Sequence, residues 1–208
     1  MARYTDPVCR LCRRATVKLF LKGERCYTPR CAVERRRKPP GNQPMRRRRT
    51  SEWGTQLREK QKVRQIYGVL ERQFKRYFDE ARRRRSTTGP YLLQLLETRL
   101  DSVVFRLNFA DSRSQARQLV SHGHLTVNGR KVDIPSYRVK VNDVIGWKET
   151  SKKTGYYVQM AGEIPKRPMP EWLNLDVEAM AGRVLSLPDP SKIDNGVDVR
   201  LVVEYYSK

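Results

Sequence analysis

The chain of 208 residues carries 44 lysine and arginine residues against 22 aspartate and glutamate residues, which gives a net charge of +22. This length suffices for one large or two modest domains with a buried core. The charge favours a polyanionic partner, because basic side chains that contact phosphates release condensed counterions. No run approaches the roughly 20 apolar residues that cross a bilayer, and no apolar signal-peptide core is present, so we expect a cytoplasmic protein with no membrane partner.

All four cysteines lie within the first 31 residues, as a C-x-x-C pair, Cys9 and Cys12, and a wider pair, Cys26 and Cys31. Two pairs separated by a loop let four sulfur atoms converge tetrahedrally on zinc, and a [4Fe–4S] cluster is the alternative that this spacing leaves open. A disulfide framework is disfavoured because cytoplasmic thiols stay reduced. Since four cysteines leave no open position on zinc, we predict a structural metal module with a basic linker over residues 1–45.

Two arginine-rich runs, at residues 35–38 and 46–49, flank a proline- and glycine-rich turn. Residues 1–90 carry 27 basic and 8 acidic side chains, whereas residues 91–208 carry 17 and 14. Runs of like charge are usually solvated when alone and become ordered on nucleic acid. The two arginine-rich runs are therefore expected to become ordered on a nucleic acid.

A helical domain is predicted over residues 46–89. A helical pattern starts at Ser51, and a second helix has an apolar face spaced i, i+3, i+4, i+7, the pattern of an amphipathic helix. This face is interpreted as core rather than as a base-stacking platform. Its residues are Phe74, Tyr77, Phe78 and Ala81.

An α+β domain is predicted over residues 90–150. A leucine-rich helix should start near Pro90 and continue to Leu107, and a helix capped by Ser112 should end at Gly123. The dipeptide Asn128-Gly129 predicts a tight hairpin. Short strands are predicted at Leu125–Val127, Arg130–Val132, Val139–Val141 and Val144–Trp147.

The C-terminal segment, residues 151–208, is predicted to be rich in loops and to pack on the preceding domains. Residues 149–170 are polar and then proline-rich, which favours loop, and a short helix is expected around Val177–Met180. The alternating tail VDVRLVVEYYSK predicts a final strand. The fold class is thus α+β: a four-cysteine metal module and helical domain, followed by a small RNA-binding domain of helices packed on an antiparallel sheet.

Several stretches of the sequence resemble one family. RLDSVVFRLNFADSRSQARQLVSHGHLTVNGRKVDIPSYRV is similar to the small RNA-binding domain of small-subunit ribosomal protein four, and VCRLCRR, GERC, LREKQKVRQIYG, ERQFKRYF, LLETRLD and VVEYYSK occur in that family's order along the whole chain. The resemblance is to the bacterial, zinc-bearing four-cysteine branch. It implies a primary binder of 16S ribosomal RNA that nucleates assembly of the small subunit body, contacts small-subunit protein five and contributes to translational accuracy.

The predicted RNA-binding surface joins basic side chains to a tight turn. Arg113 and Arg117 share a helical face, and folded RNA is read largely through its shape and backbone. Asp101 is expected to orient neighbouring arginines. The predicted RNA-binding residues are Arg46, Arg47, Arg48, Arg49, Arg82, Arg83, Arg84, Arg85, Arg99, Arg106, Arg113, Arg117, Gln118, His122, Gly123, His124, Asn128, Gly129 and Arg130.

No catalytic site is predicted. His122 and His124 have no adjacent carboxylate or cysteine, so RNA contact or plain exposure is preferred to a metal or acid–base pair. The sequence contains no phosphate-binding P-loop, H-E-x-x-H helix or G-x-S-x-G elbow, which argues against an enzyme and a small-molecule substrate. The alternative function is a zinc-module nucleic-acid-binding regulator that recognises duplex DNA.

Overall fold

The computed structural model describes residues 4–36, 38–42, 50–84, 87–164, 167–193 and 196–207. The chain divides into two compact units: unit 1 is Met1–Leu92 with Asp194–Lys208, and unit 2 is Leu93–Ile193. The helices in the described residues are α1 (Cys9–Ala15), α2 (Ala32–Arg35), α3 (Glu52–Ile66), α4 (Glu71–Arg83), α5 (Thr88–Glu97), α6 (Leu100–Arg106), α7 (Arg113–Ser121), α8 (Gly155–Glu163) and α9 (Val199–Ser207). The strands are β1 (Leu125–Val127), β2 (Arg130–Lys131), β3 (Val144–Trp147), β4 (Leu173–Asp176) and β5 (Ala181–Val184).

Unit 1 begins with the cysteine segment, which we define as residues 4–36 and 38–42. It contains α1, a 3₁₀ turn at Gly23–Tyr27 and α2. Helix α1 ends at Thr16, whose φ of 61° lies in the left-handed region. These elements are short because the segment buries little apolar surface against which a longer helix could pack.

The helical block of unit 1 follows the sequence prediction in α3 and α4. The hydroxyl of Ser51 accepts a hydrogen bond from the Gly54 amide at 3.2 Å, which caps the start of α3. The predicted apolar face of α4 is buried: Phe74, Tyr77, Phe78 and Ala81 are 0–6% exposed. Its interpretation as core is confirmed.

The C-terminal tail packs on α3 as helix α9, and the prediction of a final strand is wrong. The apolar residues of the tail fit a period of 3.6 as well as a period of 2, and the neighbouring helices decide between them. Tyr206 stacks on Phe78 at 4.5 Å, and Val199 and Val203 lie over Gly89. The carboxylate of Asp198 accepts a hydrogen bond from the backbone amide two residues on, at the start of the helix.

Unit 2 contains a five-stranded antiparallel sheet with strand order β2-β1-β3-β5-β4. The inner face of the sheet packs on α6 and α7 around a core of 18 buried residues, so the predicted combination of helices and an antiparallel sheet is confirmed. The sheet continues past residue 150, because β5 pairs with β3. The sheet and α6 pack closely at Gly182, where an added Cβ would lie 2.3 Å from Leu107 Cδ1.

The single helix predicted from Pro90 to Leu107 is two helices. Between α5 and α6 the backbone turns away at Thr98 and Arg99. The carbonyl of Thr98 accepts a hydrogen bond from the Val139 amide at 3.0 Å, and the Leu100 amide donates to the Tyr137 carbonyl at 2.8 Å. The prediction of a strand at Val139–Val141 is wrong: the isolated bridge to Arg99 comes from Arg138, just before this segment, and Val139 supplies only the backbone hydrogen bond to Thr98.

Two further predictions in residues 151–193 are wrong. The polar part of residues 149–170, predicted as loop, contains α8, which is capped by Thr154 and anchored by the buried Met160. Residues 177–180, predicted as a helix, form the turn that joins β4 to β5. Met180 has a φ of 50° there, and the Ala179 amide donates to the carboxylate of Asp176 at 3.0 Å. Pairing between the strands outweighs the local helical tendency.

Candidate nucleic-acid interface

The helix–turn–strand of unit 2 has the predicted capping groups. Ser112 Oγ accepts a hydrogen bond from the Gln115 amide at 3.3 Å, and Gln115 Oε1 accepts one from the Asp111 amide at 2.8 Å. At the other end, Gly123 has a φ of 71°, and the His124 amide donates to the Leu119 carbonyl. This left-handed stop ends α7 and starts β1 within three residues.

The hairpin that follows is held by one side chain. Asn128 and Gly129 both have positive φ, 50° and 77°, as a tight antiparallel hairpin requires. The Asn128 amide group donates to Asp143 Oδ1 at 2.8 Å, and its oxygen accepts from the Val144 amide at 2.9 Å. Arg130 therefore projects from a rigid turn and is exposed.

A buried carboxylate organises the arginines near α7. Glu97 is 1% exposed. Arg106 donates to it through two nitrogens at 2.7 and 2.9 Å, and Arg113 donates to it at 3.0 Å. Paired, charge-assisted bonds of this kind fix the planes of guanidinium groups. The two side chains are 28% and 15% exposed, so each still presents part of its charge to solvent.

A second buried carboxylate, Asp101, contacts two arginines, as the sequence predicted. Arg99 donates to it through two nitrogens at 3.0 and 2.7 Å, and Arg117 lies 3.9 Å from it. Arg99 is 0% exposed, and a side chain that deep in the core cannot reach RNA. The structure thus removes Arg99 from the predicted RNA surface and gives it a role in the core, where a buried charge needs such a partner.

One arginine of this region was missed by the sequence reasoning. The guanidinium carbons of Arg113 and Arg167 lie 4.6 and 4.2 Å from the Phe105 ring. Arg167 also donates to the Ala110 carbonyl at 2.5 Å and to Asn108 Oδ1 at 3.1 Å. It comes from a stretch read as linker, where no periodicity marks it, so no sequence signal could have revealed this role.

The remaining predicted residues of unit 2 differ in accessibility. The structure brings most of them to the turn, hairpin and α7 face, while Gly123 lies under the Lys131 side chain. His124 Nδ1 is 3.0 Å from Ser151 Oγ, and its ring centroid is 6.1 Å from that of His122. The exposed residues are Gln118, His122, Asn128, Gly129 and Arg130; the half-buried ones are Arg106, Arg113, Arg117 and His124; and Gly123 is buried.

In unit 1, the C-terminal end of α4 carries exposed arginines. Arg82, Arg83 and Arg84 are exposed, and the Arg84 guanidinium carbon lies 4.5 Å from the Tyr91 ring centroid. Their charge is favourable at a helix C-terminus. The predictions for Arg46, Arg47, Arg48, Arg49 and Arg85 lie outside the described residues.

The four cysteines are free thiols, and three of them are buried. Burial raises the pKa of the Cys12 thiol, a backbone hydrogen bond from Leu19 lowers it, and the other three cysteines raise it electrostatically. Burial also raises the pKa of Cys26, against a 3.3 Å hydrogen bond from the Lys22 amide. Amide donors to sulfur and four reduced thiols suit a thiolate-bound metal. Within the described part of the chain, no group of three or more His, Cys, Asp or Glu side chains is arranged to hold an ion.

No helix in the described residues is long and apolar enough to span a membrane. Comparison with known proteins identified two protein-family models that match the chain. Residues 3–97 match the model of the ribosomal protein S4/S9 N-terminal domain, and residues 98–145 match that of the S4 domain. Small ribosomal subunit protein uS4 of Heliobacterium modesticaldum is 55% identical, and that of Thermus thermophilus is 54% identical, each over the full length of both chains.

These matches agree with the chemistry of the interface, which presents arginines on a rigid scaffold. The chain belongs to the uS4 family of small ribosomal subunit proteins, a family of ribosomal structural proteins and not of enzymes.

Proposed function

We propose that the protein is a structural constituent of the small ribosomal subunit in the cytoplasm. In this role it binds 16S rRNA as a primary binder, nucleates assembly of the subunit body and contributes to translational accuracy. The observation that carries the RNA-binding proposal is the pair of guanidinium groups fixed by the buried Glu97, together with the exposed Arg130 of the hairpin. Arginines whose planes are already fixed lose little conformational entropy when they meet phosphates.

RNA binding by unit 2 would rest on shape and charge. The hairpin tip at Asn128-Gly129 lets the backbone approach an RNA strand closely, and Arg130, next to it, and His122, in the turn after α7, are exposed. Such a surface suits phosphate and 2′-hydroxyl contacts rather than base readout. In unit 1, Arg82–Arg84 and the arginine run at residues 46–49 would hold a second set of RNA helices, so the protein would act as a scaffold.

The cysteine segment is proposed to be a zinc module of the four-cysteine branch of the family. Cys9, Cys12, Cys26 and Cys31 would hold the ion as thiolates, and the ion would supply a structural cross-link. A [4Fe–4S] cluster is the alternative for the same donors. Metal content and an absorption spectrum of anaerobically purified protein distinguish them: about one zinc without a visible band supports zinc, and several irons with a brown chromophore overturn it.

Contact with small-subunit protein five is proposed from family resemblance. It is tested by pull-down of purified protein five with the full chain bound to 16S rRNA. Retention of protein five on the complex, and not on 16S rRNA alone, supports the contact.

Arg130 is the sharpest probe of RNA binding, because Arg113 and Arg117 also pair with buried carboxylates and their loss would disturb the core. We expect Arg130→Ala to weaken binding to 16S rRNA fragments and to lower the slope of log K against log salt by about 1. Arg183→Ala is the matched control, since Arg183 is an exposed arginine of the same sheet, on β5.

Equal effects of the two variants would contradict this face of unit 2 as the RNA surface. A tight preference for duplex DNA over 16S rRNA in competition would overturn the ribosomal proposal in favour of a zinc-module regulator.

A further inference from the structure

An exposed pair of aromatic rings lies on the cysteine segment. Phe20 and Tyr27 stack with ring centroids 5.0 Å apart and planes inclined by 28°. Phe20 is 44% exposed and Tyr27 is 67% exposed. Single exposed aromatics are ordinary on protein surfaces, but a stacked pair with a highly exposed ring is a stack that a further flat ring can extend, and such an exposed apolar feature is a candidate binding site.

The backbone at Phe20 turns the ring outward at a conformational cost. Phe20 has a φ of 51°, in the left-handed region that bulky residues rarely adopt. Its neighbour Leu19 is 5% exposed, so consecutive side chains point to the interior and to solvent. Strain of this kind persists where the surrounding structure enforces it, often at binding sites.

Both sides of the aromatic pair are tied to the cysteines. The Leu19 backbone hydrogen-bonds to the Cys12 thiol, and the Lys22 amide donates to Cys26 Sγ at 3.3 Å. Tyr27 follows Cys26 directly in the 3₁₀ turn. The backbone beside both rings is therefore hydrogen-bonded to cysteine sulfur atoms, and these contacts would keep the rings stacked before a ligand arrives.

The charge around the rings favours a nucleic acid as the ligand. Residues 8–33 carry seven lysine and arginine side chains and one acidic side chain. Lys22 and Arg25, both exposed, lie between the two aromatic residues in the chain. Aromatic rings flanked by cations are the arrangement that binds single-stranded nucleic acid, where a base stacks on a ring and phosphates meet the cations.

We propose that the Phe20–Tyr27 pair is a platform on which an unpaired RNA base, from a bulge or a loop, stacks against Tyr27, while Lys22 and Arg25 contact the adjacent phosphates. This inference rests on the proposed rRNA binding and deepens it. It assigns an unpaired nucleotide to the cysteine segment, in contrast to the backbone contacts proposed for unit 2.

The test measures binding of the full-length, metal-containing protein to 16S rRNA over a range of salt concentrations. Tyr27→Leu should weaken binding by about 5- to 100-fold, the range for loss of one base–aromatic stack, with an unchanged salt slope because no phosphate contact is removed. Tyr27→Phe, which keeps the ring, should bind like the unsubstituted protein. Chemical probing should show one unpaired nucleotide that loses protection with Tyr27→Leu and keeps it with Tyr27→Phe.

Phe20→Asn separates binding from folding. Asparagine adopts the left-handed conformation more readily than phenylalanine, so hydrogen exchange of the cysteine segment should stay within about threefold while RNA binding weakens as for Tyr27→Leu. If exchange rises sharply and binding to RNA does not change, the rings are structural and the inference is wrong.

The outcomes also separate this inference from the proposed function. If Tyr27→Leu binds 16S rRNA within twofold of the unsubstituted protein while Arg130→Ala weakens binding, only the platform is overturned. If the unsubstituted protein does not bind 16S rRNA, both proposals fall.

Discussion

The cysteine segment and the core of unit 2 are stabilised in different ways. Among the described residues of the cysteine segment, the buried positions are three thiols, Leu19 and Gly23. The described residues of unit 2 form an extended buried core, which includes Leu107, Ile145 and Val184. A segment of about 40 residues cannot bury enough apolar surface to pay for its own ordering. With the proposed metal bound, the first region would depend on cross-linking through its thiolates, whereas the second depends on packing.

The two regions also differ in the acidic neighbours of their arginines. In unit 2 the buried Glu97 and Asp101 hold arginines in place without RNA. In the sequence of unit 1, the run Arg46–Arg49 has no acidic neighbour within its own stretch. In the proposed complex, RNA phosphates would neutralise these arginines.

The largest expected effect tests the dependence of the cysteine segment on its thiols. Cys9→Ser combined with Cys12→Ser should raise amide exchange in residues 4–42 to nearly unfolded rates, because metal binding supplies about 10 kcal/mol or more in isolated zinc modules. Exchange in β3 and β5 should stay unchanged. Hydrogen-exchange mass spectrometry of the whole chain measures both regions in one experiment.

Ala15→Ser is the control, since it adds a hydroxyl to α1 and removes no thiol. Prolonged chelation of the unsubstituted protein should reproduce the double variant. Loss of protection from exchange throughout unit 2 would show that the two regions do not fold independently, and would contradict the difference in stabilisation described above.

An intermediate effect tests close packing in unit 2. Gly182→Ala should destabilise unit 2 by about 1–3 kcal/mol, because its Cβ would overlap Leu107, whose Cγ lies 2.9 Å away. Leu107→Ala alone should cost about 2–5 kcal/mol. The double variant should cost less than the two single variants together, since the cavity admits the new methyl group. Urea unfolding, monitored by hydrogen exchange in β3 and β5, measures the free energy of unfolding of each variant.

Gly146→Ala is the matched control on the neighbouring strand, because its Cβ would meet Thr126 Oγ1 at an ordinary 3.5 Å. Strict additivity of Gly182→Ala and Leu107→Ala would mean that the two sites do not share a packing contact.

The smallest expected effect concerns the ion pair in the helical block of unit 1. Burial raises the pKa of Glu71, but hydrogen bonds from Lys60 and Tyr206 and the charges of Lys60 and Arg64 outweigh burial, and the net pKa lies below its ordinary value of 4.5. A lowered folded-state pKa stabilises the fold above the unfolded pKa, and this contribution is lost as the pH falls through the folded value.

Glu71→Gln should therefore destabilise the helical block at neutral pH and match the unsubstituted protein at acid pH, below the folded pKa. The difference should be under about 1 kcal/mol, since the Glu71 side chain is 45% exposed and solvent screens it. Urea unfolding at several pH values measures it, with the exposed Glu52→Gln as control. A difference that grows as the pH falls from 5 would contradict the assignment.

Local signals in the sequence were sufficient for the functional part of unit 2. Three features each depend on neighbours within a few residues: the cap at Ser112, the stop at Gly123 and the hairpin at Asn128-Gly129. They can therefore be predicted from the sequence without knowledge of the fold. Pairing of Asp101 with arginines was also predicted correctly. The accessibility of the arginines was not predicted correctly. Arg99 was predicted to bind RNA, but it is buried by contacts with a distant segment.

The sequence by itself determined the positive charge that favours a polyanionic partner, the four clustered thiols, the amphipathic α4 and the turn chemistry around α7, because composition and short-range hydrogen bonding decide these features. Only the tertiary structure decided that the tail is the helix α9, that residues 173–184 complete the sheet, and that Arg167 holds Phe105. In each case an ambiguous local pattern was resolved by packing against an element far away in the chain, and that information is absent from the local sequence.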